Sequence, residues 1–153
     1  MNEKIGALVK TSLVDFPGTV CAAVFLKHCN LRCPYCYNAQ LITETQDDTG
    51  LFTLDEIKSH LAKRKNVLDG LAISGGEALL NPHTKELILF AKKLNYKVKL
   101  DTNGTLPELL QQITEDPQTR PDFIAMDIKT SPQKYRGLLN SSNISDQTDY
   151  EQA

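Results

Sequence analysis

Four short apolar runs alternate with amphipathic stretches along this chain, and few folds accommodate such an alternation. Residues 19–26 (T-V-C-A-A-V-F-L), 69–74 (D-G-L-A-I-S), 96–101 (Y-K-V-K-L-D) and 122–129 (D-F-I-A-M-D-I-K) read as strands. Residues 53–65, 82–94, 106–113 and 131–139 read as helices. Thr53 with Glu56 three positions on makes a capping box, and Leu54, Ile57 and Leu61 give a helical stripe. Pro82 and the Ser131-Pro132 pair mark two further helix starts. Strands that alternate with helices imply βαβ units and a parallel sheet. The expected fold is therefore α/β: an incomplete, TIM-like β/α barrel of about four βα units, or else a doubly wound sheet. Both place ligand chemistry at the carboxyl ends of the strands, so each motif can be judged by whether it sits there.

The 153 residues suit one domain, read as residues 1–140 with a polar tail over 141–153. Apolar content of 41% and charged content of 24% are those of a folded globular chain. A formal net charge of −2 advertises no basic surface for nucleic acid. No run approaches the roughly 20 apolar residues that span a membrane, and the N-terminus lacks the apolar core of a signal peptide. The expectation is a cytoplasmic protein, where clustered cysteines serve metal binding or chemistry more often than disulfides.

Three of the four cysteines, Cys29, Cys33 and Cys36, fall within eight residues just after the first strand. Three thiolates so close can wrap one face of a metal cluster. A [4Fe–4S] cluster takes one protein ligand per iron, so three cysteines leave one iron open. Zinc is the alternative, but a structural zinc site normally needs a fourth protein ligand. Cys21 supplies one only by leaving the first strand, where it packs more naturally as a small hydrophobe. Spacing favours the cluster and leaves both readings standing.

Three more motifs follow the later strands. Gly75-Gly76-Glu77 is either a plain turn or a backbone bare enough to meet a ligand amine through its carbonyls, with Glu77 as a nearby anion. Asp101-Thr102-Asn103-Gly104 reads, in isolation, as a turn. In the last strand Asp127 and Lys129 share a face, and a parallel strand normally has both faces covered. A charge pair there is either a partly exposed pair that contributes little or a polar pocket at the rim, and the other motifs on that rim favour the pocket. His60 and His83 read as helix-surface residues, while His28 flanks the cysteine loop.

Taken together these residues resemble a known family. Cys29-x-x-x-Cys33-x-Tyr35-Cys36, with an aromatic residue before the third cysteine, is similar to the signature of the radical S-adenosylmethionine (SAM) superfamily. The glycine, Asp-Thr-Asn-Gly and Asp-Ile-Lys motifs follow in that family's order. Within it the chain resembles glycyl-radical-enzyme activating proteins, most of all those of anaerobic ribonucleoside-triphosphate reductase. T-S-L-V-D-F-P-G and F-L-K-H-C-N-L-R-C-P-Y-C carry that finer likeness.

The resemblance implies a [4Fe–4S] cluster on Cys29, Cys33 and Cys36, with SAM chelating the fourth iron. It implies that Gly75, Gly76 and Glu77 receive the SAM amine and that Tyr35 lies near the adenine. Asp127 and Lys129 would contact SAM, and Asp101, Thr102 and Asp127 would hold a monovalent cation beside it; Asn103 belongs to the same cofactor-binding stretch. The implied reaction is reductive cleavage of SAM to a 5′-deoxyadenosyl radical, which takes a hydrogen atom from a glycine of a partner enzyme. The electron would come from a flavodoxin or ferredoxin. Two other readings stay open: a radical SAM enzyme acting on a small molecule or peptide, such as a deazapurine synthase, and a non-catalytic metal-binding fragment. Tyr37 and Ala78 stand where many activating proteins carry His and Pro. Family members usually continue through further βα units, so the expectation is a short or truncated version, or an open barrel side covered by another chain.

Overall fold

The computed structural model describes residues 3–42 and 48–139. Six strands form one open sheet: β1 (Lys4–Ser12), β2 (Cys21–Leu26), β3 (Leu51–Thr53), β4 (Gly70–Gly75), β5 (Lys97–Thr102) and β6 (Phe123–Met126). Their order is β3-β1-β2-β4-β5-β6. From β2 to β6 every pairing is parallel. These are the four strands expected from the apolar runs, and the unclosed sheet is the incomplete β/α barrel.

Two strands escaped the sequence reading. β1 and β3 pair antiparallel at one edge, β1 with β2 and β3 with β1. The three-residue β3 runs straight into the N-cap of the next helix, so the helix signal hides it.

Helix α1 (Ala39–Ile42) is one turn after the cysteine loop. Helix α2 (Leu54–Lys63) starts with the capping box: the Glu56 amide donates to Thr53 Oγ1, and the Thr53 amide donates to the Glu56 carboxylate. Helix α3 (Thr84–Lys93) begins after a single 3₁₀ turn at Ala78–Leu80, two residues later than Pro82 suggested. Asn81 Oδ1 takes the His83 amide there at 3.0 Å, so the turn rather than the proline sets the start. Helix α4 (Pro107–Glu115) carries Pro107 in its first turn. The final segment, Pro132–Leu138, is 3₁₀ rather than α-helical.

Alternation along the strands splits the sheet into two unlike faces. Val24, Leu26, Leu71, Ile73, Val98 and Leu100 point toward Ile57 and Leu61 of α2 and Leu87 and Ile88 of α3, and this is the main core. Each such side chain contributes about 1.5–3 kcal/mol when fully buried. The opposite face carries Cys21, Ala23 and Ala72, covered by Phe16. Cys21 is fully buried there, and burial pushes its thiol up. It lies at the amino end of β2, about 16 Å of strand from the carboxyl end, so it packs as a small hydrophobe. The expectation of a strand covered on both faces does not hold for β6, the terminal strand of the open sheet among the described residues: Phe123, Ile124 and Met126 are all exposed.

Candidate functional site

The loops that follow β2, β4, β5 and β6 meet around one cavity of about 420 Å³ at the carboxyl ends of the strands. That is within the usual range for a small-molecule site. Cys29, Cys33, Cys36 and Tyr35 line it from the first loop, and Gly75 and Gly76 from the second. Asp101, Thr102 and Asn103 line it from the third, and Asp127 and Lys129 from the end of β6. Four stretches far apart in sequence therefore converge. Glu77 alone among the expected residues lies beneath the cavity rather than on its wall.

The cysteine loop is anchored at both ends. Leu31, only 1% exposed, is buried at the cavity wall. The Arg32 amide donates to the Leu138 carbonyl at 2.6 Å, and Leu31 bridges Leu139. The Arg32 guanidinium donates to the Cys29 and Leu31 carbonyls at 2.7 and 2.9 Å. The Tyr35 hydroxyl donates to the Lys129 carbonyl, and the Lys129 amide donates to the Tyr135 hydroxyl at 2.8 Å. The 132–138 segment thus clasps the loop, a role that its short helical pattern did not reveal.

The glycine turn lies hard against β2. Gly75 has φ +123, and a Cβ there would stand 2.2 Å from the Leu26 amide nitrogen. A Cβ on Gly76 would stand 2.0 Å from the His28 carbonyl oxygen. Only bare backbone fits, held by bonds from the Gly76 amide to the Leu26 carbonyl and from the Glu77 amide to the His28 carbonyl. His28 contributes this carbonyl, while its ring lines no part of the cavity. Asn38, which the motifs did not flag, donates to the Gly75 carbonyl at 3.4 Å. Its place two residues after Cys36 was the available signal.

Glu77 is fully buried. Its carboxylate accepts from the Leu79 amide (3.1 Å), the Thr102 hydroxyl (2.9 Å) and the Asn103 amide (2.7 Å), and so joins the β4 loop to the β5 loop. Burial pushes its pKa up, against the downward pull of those donors. Asp101 is ion-paired with Lys99, which is itself 8% exposed. Lys129 pairs with Asp127 at 2.9 Å. Partial burial lowers the Lys129 pKa, but the Asp127 carboxylate outweighs it and the net shift is upward. The Asp-Thr-Asn-Gly stretch is indeed a turn, with Gly104 at φ +77 and its amide on the Thr102 hydroxyl, and it also lines the cavity.

The chemistry of this donor set fits a cluster and a polar ligand together. All three loop cysteines are free thiols facing one cavity. Burial holds the Cys29 thiol above its ordinary value, so a bound metal would have to displace its proton. Among the described residues no three His, Cys, Asp or Glu side chains converge on a single-ion site. A tetrahedral zinc site asks for such convergence, whereas a [4Fe–4S] cluster spreads its cysteines over separate irons. The backbone of Gly75-Gly76 and the charged ends of β5 and β6 complete the wall.

Residues 24–148 match the radical SAM superfamily. The chain belongs to that family. A provisionally named glycyl-radical enzyme activating enzyme of Methanocaldococcus jannaschii is 32% identical over 140 residues, covering 91% of this chain and 55% of that protein. The pyruvate formate-lyase-activating enzyme of Clostridium pasteurianum is 29% identical, covering 82% and 52%. A 7-carboxy-7-deazaguanine synthase of Hyperthermus butylicus is 35% identical over 94 residues, covering 60% and 38%. The crystal structure of QueE from Escherichia coli superposes with a TM-score of 0.54 at 15% identity, over 69% of this chain and 54% of that one, a likeness of fold. The radical SAM chain spans about half the length of the activating enzymes it matches. No helix among the described residues is long and apolar enough to cross a membrane.

Proposed function

We propose that this radical SAM chain carries a [4Fe–4S] cluster on Cys29, Cys33 and Cys36, binds SAM beside it and installs a glycyl radical on a partner enzyme. The observation that carries the reading is the convergence of four separate loops, three thiols among them, on one cavity at the carboxyl ends of parallel strands. When bound, the cluster and SAM would supply one-electron reductive cleavage of the sulfonium, with the electron from a flavodoxin- or ferredoxin-type donor, and so the means to take a hydrogen atom from the partner's glycine.

The chain's own residues bind, orient and shield. Cys29, Cys33 and Cys36 hold three irons. The Gly75 and Gly76 carbonyls, unobstructed by any Cβ, accept from the ammonium of an amino-acid moiety. Lys129, held protonated beside Asp127, faces a carboxylate. Tyr35, fixed through its hydroxyl, offers a ring edge to a purine. Glu77 acts from below, by setting the positions of Thr102 and Asn103. Lys99 and Lys129 already hold the Asp101 and Asp127 carboxylates, so a monovalent cation there would have to compete with both lysines.

Likeness to both activating enzymes over most of the chain favours a protein substrate. The deazaguanine synthase relative supports a second reading, a small-molecule substrate taken by the same cavity. Low-temperature electron paramagnetic resonance of the anaerobically reconstituted, reduced protein tests the core of the proposal. A [4Fe–4S]⁺ signal that changes on adding SAM is the expected result. No iron uptake, or a signal indifferent to SAM, overturns it. SAM cleavage that requires a glycyl-radical protein then selects the first reading, and cleavage that requires a deazapurine precursor selects the second.

A further inference from the structure

Beside Cys29, reaching the cavity wall at Asn103, lies a connected set of amides and hydroxyls whose effect on the sulfur the proposed function leaves open. Asn103 is 4% exposed. Its side-chain carbonyl accepts from the Thr105 amide at 3.0 Å and from the Thr105 hydroxyl at 2.6 Å. Its side-chain nitrogen donates to Asn30 Oδ1 at 3.0 Å and lies 3.9 Å from Cys29 Sγ. The Asn30 nitrogen in turn donates to Thr105 Oγ1 at 2.7 Å.

These bonds leave Asn103 one orientation. Thr105 spends its hydroxyl hydrogen on Asn103, so Thr105 Oγ1 can only accept from Asn30. Turning the Asn103 amide over would set its N–H groups against the Thr105 N–H, donor against donor. Its backbone is pinned as well, through the bond from the Asn103 amide to Glu77. The second N–H of the side chain is therefore directed at sulfur. From its other side Cys29 Sγ receives the Leu31 amide at 3.4 Å.

We propose that Asn103 is a positioning residue that donates an N–H bond to the Cys29 thiolate and thereby raises the reduction potential of the bound cluster. The inference rests on the cluster reading above. Metal binding removes the thiol hydrogen and leaves a charged acceptor, which draws a fixed donor closer than a neutral sulfur does. Reduction adds negative charge to the cluster, part of it on the sulfurs, so donors to sulfur favour the reduced form. Asn103 thereby links the β5 loop to the electron affinity of the cysteine loop.

The test compares reconstituted wild type with Asn103→Ala in an anaerobic redox titration followed by paramagnetic resonance, with iron content and a thermal melt of the metal-free chains alongside. At the potential that half-reduces wild type, the variant's reduced-to-oxidised ratio is expected to fall about tenfold, a shift of about 59 mV to more negative values for a one-electron couple. Equal iron loading with an unchanged midpoint overturns the inference and leaves the cluster reading intact. Wild type that takes up no iron overturns both. If Asn103→Ala does not fold, Asn103→Asp carries the test: it keeps the acceptor for Thr105 and turns the donor facing sulfur into an acceptor. Its midpoint must fall further than tenfold in that ratio, and no fall overturns the inference.

Discussion

Glu77 is held by three donors in a place that strips it of water, and the two influences oppose each other. Burial is the larger, so its folded pKa stands above the ordinary value of 4.5. A carboxyl raised in this way favours the folded state most when protonated. Its contribution is fully present below about 4.5 and is lost as pH rises through the elevated value. In Glu77→Gln one oxygen can still accept from Leu79 and Thr102, but an amide nitrogen now confronts the Asn103 N–H. That substitution is expected to cost about 1–3 kcal/mol, and its cost should shrink as pH rises through the wild-type titration. Urea melts of both chains at several pH values measure this; a cost that grows with pH contradicts it. Sequence pointed to the Gly-Gly-Glu position but not to the depth of its carboxylate. The order of motifs along strands locates a rim, whereas the depth of a side chain depends on which loops meet above it. The same limit hid Asn30, whose partners Thr105 and Asn103 lie more than seventy residues away.

The 132–138 segment shows how a weak element can matter to a site through where it docks. It has no regular α-helix and one buried side chain, Tyr135, yet it meets the cysteine loop through Leu138 and Leu139 and the end of β6 through Tyr135. Tyr135→Phe leaves the Lys129 amide without its acceptor, at a cost of about 1 kcal/mol. Hydrogen exchange at the Arg32 amide should quicken, because its partner Leu138 belongs to the loosened segment, while amides of α2 behind the capping box keep their rates. Unchanged exchange at Arg32 would show that the clasp does not depend on that hydroxyl. Among the elements, the parallel strands and α2 were readable because short apolar runs and a capping box are local signals. β1 was not recognised, since its pairing partners β2 and β3 are set by topology. The covered second face expected for β6 failed for the same reason: local alternation says which residues share a face, and strand order decides whether anything lies against it.

Stability across the molecule is arranged opposite to the site. The core lies where β2, β4 and β5 meet α2 and α3, with side chains such as Val24, Ile73 and Leu100 fully buried. Among the described residues β6 pairs with β5 alone, and Phe123 and Met126 stand 43% and 47% exposed. Yet the end of β6 supplies Asp127 and Lys129 to the cavity. Amides of β4 should therefore exchange only through global unfolding, and those of β6 through a cheaper local opening that takes the cavity wall with it. A ligand that bridges the cysteine loop and β6 binds the closed form alone. At a hundredfold excess over its dissociation constant it stabilises that form by about 2.7 kcal/mol, which slows β6 exchange about 100-fold through mass action. SAM added to the cluster-loaded chain should produce this slowing in β6 and the 132–138 segment before any change in β4. Protection of β6 equal to that of β4 without ligand would mean that the edge is held by more than its pairing with β5. Slowing confined to β4 would place the ligand away from the open edge.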